Sequence, residues 1–157
     1  MTAVTTEKTP DRIEKQILLK APRARVWKAL VDTGEFGAWF GCALEGPFVV
    51  GETTLGRITE PPGYEHLKME LAVERIEAER ALAFRWHPYA VERGVDYSGE
   101  PTTLVEFLLE ETPGGTLLTI SESGFSRLPA ARRDEAFRMN SGGWDAQAEN
   151  IQRHVGG

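Results

Sequence analysis

Residues 102–123 read TTLVEFLLEETPGGTLLTISES, and this stretch decides the fold class. Val105, Phe107 and Leu109 recur at every second position, the period of a strand with one buried face. Pro113, Gly114 and Gly115 then supply a tight turn in which φ > 0 is tolerated, and the second arm alternates in the same way through Leu118 and Ile120. The two arms form an antiparallel hairpin. Period-two geometry also places Glu122 on the apolar face, where an unpaired carboxylate is unfavourable and some compensation is required.

Upstream of the hairpin the punctuation is regular. Residues 12–19 carry Ile13, Ile17 and Leu19 at even spacing and predict a first strand. Pro22 suits a first helical turn, and Val26, Trp27, Leu30 and Val31 follow at helical spacing. Asp32 and Thr33 can cap a second short helix in which Phe36, Trp39 and Phe40 share a face before Gly41 stops it. Gly51-Glu52 reads as a two-residue hairpin turn between strands near 47–50 and 53–59. Pro61-Pro62-Gly63 makes a loop, Met69, Leu71 and Val73 alternate along a fourth strand, and Leu82, Phe84 and Trp86 share one face of a fifth. The polar stretch 87–101 is long for a loop and is placed to cover a pocket.

Downstream, Phe137, Ser141, Trp144, Ala148, Ile151 and Val155 are spaced by three and four residues, the stripe of a long helix over about 129–154. The 157 residues, 41% of them hydrophobic, suffice for one core. The reading is therefore a disordered tail over 1–10 and a single domain over 11–157.

A net charge of -6 excludes a basic groove, so neither nucleic acid nor an anionic membrane is expected as a partner. No apolar run reaches the ~20 residues that span a bilayer. Cys42 is the only cysteine, so no intramolecular disulfide can form, and a reducing, cytoplasmic setting is expected. His66, His87 and His154 are too dispersed to suggest a metal cluster. Gly-x-Ser-x-Gly, His-Glu-x-x-His and Walker sequences are absent, and no metal or cofactor is expected.

The run Ala21-Pro22-Arg23-Ala24-Arg25-Val26-Trp27-Lys28-Ala29-Leu30, the triplet Phe84-Arg85-Trp86, Gly114-Gly115-Thr116 leading to Glu122-Ser123-Gly124-Phe125, and Gly143-Trp144 resemble the START-like, or SRPBCC, superfamily. Within it they are most similar to the branch named for the activator of the heat-shock-protein-90 ATPase, over roughly residues 11–155. The resemblance implies an α+β helix-grip fold, in which a curved antiparallel sheet of about seven strands holds a long C-terminal helix. It implies three kinds of function: binding of a small aromatic or lipid-like molecule, a polyketide cyclase or aromatase reaction in the same cavity, or interaction with a chaperone. It does not fix the oligomeric state. The chain has neither the cysteines of an iron–sulfur cluster nor a Gly-x-Gly-x-x-Gly loop, which sets aside redox relatives.

In such a fold, Trp39, Phe40, Met69, Leu71, Trp86, Val105, Phe107, Phe125 and Trp144 are the candidate ligand-binding surface, with Glu122 as a polar anchor or proton-transfer group. The structural alternative for Glu122 is a hydrogen bond to a backbone amide or an ion pair with Arg138. His87 is either a proton donor at the pocket mouth or a solvated loop residue. Gly142-Gly143, which costs a helix roughly 1 kcal/mol per glycine relative to alanine, calls for a packing reason. Arg127, Arg132, Arg133 and Arg138 read as a solvated face.

Overall fold

The computed structural model describes residues 10–60, 62–64, 66–92 and 94–156. The tail expected over 1–10 lies outside these residues, apart from Pro10. The chain runs through β1 (Arg12–Leu19), α1 (Arg23–Val31), α2 (Thr33–Phe40), β2 (Cys42–Leu44), β3 (Thr53–Ile58), β4 (Lys68–Glu77), β5 (Ala81–Trp86), β6 (Thr103–Thr112), β7 (Gly115–Ser123) and α3 (Ala130–Val155). The strands form one antiparallel seven-stranded sheet in the order β1-β7-β6-β5-β4-β3-β2. The long helix and the two short ones pack on its concave face, which is the helix-grip arrangement.

Local chemistry explains the helix boundaries. The Asp32 carboxylate accepts from the amides of Gly34 and Glu35 at 2.9 and 3.1 Å, capping α2. Gly41 ends α2 in the left-handed region at φ 93, which glycine enters without a Cβ penalty. The chain passes from there straight into β2.

That passage corrects one expectation. Residues 47–50 form no strand; the partner of β3 is Cys42–Leu44, with Cys42 opposite Ile58 and Leu44 opposite Gly56. Val49 and Val50 are exposed, and the Glu52 amide closes a turn onto the Val49 carbonyl at 3.0 Å. This turn docks on β4, since Gly51 donates to the Val73 carbonyl and Val73 donates to the Glu52 carbonyl. Pro47 lacks the amide that a ladder needs, and a run of valines is apolar enough to mimic a strand.

The register places one inward face on each strand. Ile13 and Val105 flank Glu122, Phe107 sits opposite Ile120, and Phe84 sits opposite Val105. Lys15 shares this face on β1, and its ammonium reaches the Asp145 carboxylate of α3 at 3.1 Å. Phe36 lies at the centre of the core, with ring contacts to Trp39, Phe40, Phe48, Phe84 and Phe107. The buried Trp39 indole is satisfied by the Ala29 carbonyl at 2.8 Å. Among the described residues no helix is long and apolar enough to cross a membrane.

Candidate functional site

Glu122 is the natural starting point, because its side chain is fully buried. Oε2 accepts from the Trp86 indole at 2.7 Å and the Thr103 hydroxyl at 2.5 Å. Oε1 accepts from the Trp144 indole at 2.8 Å and the Asn140 amide at 3.0 Å. The donors come from β5, β6 and α3, so one carboxylate joins the sheet to the helix. Neither a backbone amide nor Arg138 is among these partners; the compensation comes from uncharged side-chain donors. Four side-chain donors on its two oxygens satisfy the group at a fully buried position.

The rings around this hub are in contact. Trp86 stacks on Trp144 with centroids 5.7 Å apart, and Phe40 meets both edge-on at 6.1 Å. Phe107 packs against Trp144 at 5.8 Å. Between Phe107 and Trp144 the sheet and the helix are thus in direct ring contact.

On the far side of Trp86 the space opens. A cleft of about 540 Å³ has walls formed by Phe40 of α2, Ile58 of β3, Met69 of β4, Trp86 of β5 and Asn140 of α3. Tyr89, Val91 and Tyr97 cover it, while Lys68, Glu70, Glu92 and Asp96 add charge. A smaller hollow of about 150 Å³ lies between Phe40, Trp86, Asn140, Gly143 and Trp144. Phe40, Trp86 and Asn140 border both spaces.

The covering segment is tied down by one side chain. Arg132 donates to the Glu100 carboxylate at 2.8 Å, to the Tyr89 carbonyl at 3.0 Å and to the Pro88 carbonyl at 3.1 Å. Its guanidinium also lies 4.8 Å from the centre of the Tyr97 ring. Tyr89 holds a left-handed backbone at φ 49, uncommon for a residue with a Cβ, and the Arg132 bond to its carbonyl fixes that conformation. The expected solvated arginine face is thereby corrected at two positions: Arg132 clamps the loop, and Arg133 donates to the Leu128 carbonyl at 2.8 Å before α3 begins.

The residues singled out from sequence divide into groups. Phe40, Met69 and Trp86 line the cleft; Trp144 borders the smaller hollow; Glu122 lies behind the wall. Trp39, Leu71, Val105, Phe107 and Phe125 are buried in the core and line neither space. His87 lines the cleft, with Nε2 donating to the Glu100 carbonyl at 3.1 Å. Burial pushes the Cys42 thiol up to about 12, so it stays protonated. The packing reason sought for Gly142-Gly143 is absent: a Cβ on either residue would meet no atom within 4 Å.

Asn140, Tyr89, Tyr97 and Arg132 were not among the candidates. Asn140 had a usable signal, since it precedes Trp144 by four residues and so shares its side of α3. The tyrosines lie in a segment without periodicity, and Arg132 is one of several arginines at the helix start.

The architecture coincides with that of a known family. A family model described as activator of Hsp90 ATPase homolog 1-like protein matches residues 20–156. The chain belongs to this family. Solved structures with the activator-homolog fold resemble it at low identity. Protein MLL2253 from Mesorhizobium loti has a TM-score of 0.72 and 19% identity, over 92% of this chain and 96% of that one. The Aha1 dimer from Colwellia psychrerythraea gives 0.67 and 14%, over 92% and 95%. DynU16, from the dynemicin biosynthetic locus, gives 0.72 and 24%, over 94% of this chain but 48% of its own. Likeness at these identities shows the fold alone and leaves the task to be argued from the site. A search of curated proteins finds no match.

Proposed function

We propose that this chain binds a small, largely apolar molecule in the cleft beneath Tyr89, Val91 and Tyr97. The observation that carries the reading is the cleft itself: about 540 Å³ bounded by Phe40, Ile58, Met69, Trp86 and Tyr89, with the Asn140 amide among them. Its size falls within the ~300–1,000 Å³ of small-molecule sites, and apolar walls with a few fixed polar groups are their usual composition. Glu122 acts here as a positioning residue. It does not touch the ligand but holds Trp86 and Asn140, which do, in fixed orientations.

Titration of amide-resolved NMR spectra with a library of neutral and charged compounds on aromatic and aliphatic bodies tests this reading. The expected result is saturable shifts centred on Met69, Trp86 and Tyr89, abolished by the cleft-filling substitution Val91→Trp. Shifts spread over the surface, or no saturable compound, would overturn it.

A further inference from the structure

We propose that the ligand of this cleft is a cation, a protonated amine or quaternary ammonium carried on an aromatic or apolar body. The inference rests on the binding reading above and adds the ligand's charge. Among the described lining residues, Glu70, Glu92 and Asp96 face the single ammonium of Lys68, with His66 and His87 beside them. Among the described residues beside the cleft, Arg132 is committed to Glu100 and to loop carbonyls. Glu135 and Arg138 of α3, which both act on the Tyr89 phenol, have opposite signs.

Behind the Trp86–Asn140 wall, the Glu122 carboxylate is matched only by uncharged donors. A space of 540 Å³ is on the order of 8 Å across, within the ~8–10 Å over which salt screens charge, so Glu70, Glu92 and Asp96 at its border act on an occupant together. An anionic occupant would be repelled by all of them.

The walls supply the second attraction. Phe40, Trp86, Tyr89 and Tyr97 border the cleft, and the negative face of an aromatic ring favours a cation within about 6 Å of its centre. The molecule already uses this contact once, where Arg132 meets the outer part of the segment at Tyr97. Asp96 is poised to remain ionised: hydrogen bonds from Ser98 hold its carboxyl below the usual carboxylate range.

The test is calorimetry, with NMR mapping, on three probes that share one ring and differ in charge: tryptamine, tryptophol and indole-3-propionate. At low ionic strength tryptamine should bind roughly tenfold more tightly than indole-3-propionate, with tryptophol between them. The gap should narrow about threefold in the double variant Glu92→Gln/Asp96→Asn, and narrow again in high salt. Equal or tighter binding of the alcohol or the acid in the cleft would remove the cation preference and leave the binding reading standing. Failure of all three to shift the cleft resonances would count against both.

Discussion

On the two sides of Trp86 the same inward-facing alternation has opposite outcomes. Toward Glu122, rings from α2, β5, β6 and α3 interlock and a carboxylate ties them together. Toward Tyr89, the sheet and the helix stand apart and only an arginine-anchored segment closes the gap. Close-packed interiors resist any loss of volume, whereas a cavity wall can be altered with little effect on folding. Close packing and open space are therefore assigned to adjacent sets of side chains, with Phe40, Trp86 and Asn140 belonging to both.

The sharpest test contrasts the two sides directly. Phe107→Ala, in the filled region, should lower unfolding free energy in urea by about 3–5 kcal/mol. Val91→Ala, on the cleft side, should change it by less than about 1 kcal/mol. Similar values for the pair would erase the distinction.

Next in size is Glu122→Gln, which keeps the shape but turns an NH₂ toward groups that are themselves donors. A loss of about 2–3 kcal/mol is expected, together with displaced indole N–H resonances of Trp86 and Trp144. Unmoved indole signals would show that the carboxylate does not hold the wall. Gly142→Ala and Gly143→Ala should each raise stability by up to about 1 kcal/mol, because an added methyl meets nothing and alanine favours the helix. Destabilisation by either would place an unseen contact at that face.

The smallest effect concerns Glu35, remote from the cleft. Burial alone would raise its pKa, but hydrogen bonds from His154 and Arg25 and the charges of Arg25 and Lys28 prevail, and the carboxyl sits below its usual 4.5. A depressed folded-state value means that this stabilisation is complete above pH 4.5 and is lost as pH falls through the lowered pKa. Glu35→Gln should cost about 0.5–1 kcal/mol at neutral pH, and the difference from the parent should fade on acidification. A gap that persists unchanged into acid would contradict this account.

Much of the fold was legible because it is written in short periods. The alternation of 102–123, the paired stop signals at Asp32 and Gly41, and the three-four spacing through Trp144 each correspond to an observed element. The three-residue β2 was not legible, since so short a strand has no period of its own and the valines at 49–50 offered a stronger false one. For the site, alternation turns Glu122 inward, yet its donors lie 18 to 36 residues away, on elements whose mutual placement no local pattern encodes. Alternation likewise cannot separate Phe107, packed against rings, from Met69, which borders open space. That difference depends on how far the helix stands from each part of the sheet.

β1 is an outermost strand of the sheet and offers its free backbone groups to any other extended chain. The inward side of this border carries Lys15, whose ammonium is held by the Asp145 carboxylate of α3. A positive charge turned inward at a border is a known obstacle to uncontrolled strand addition. The lysine that fastens the helix thus also makes this border a poorer template for a further strand.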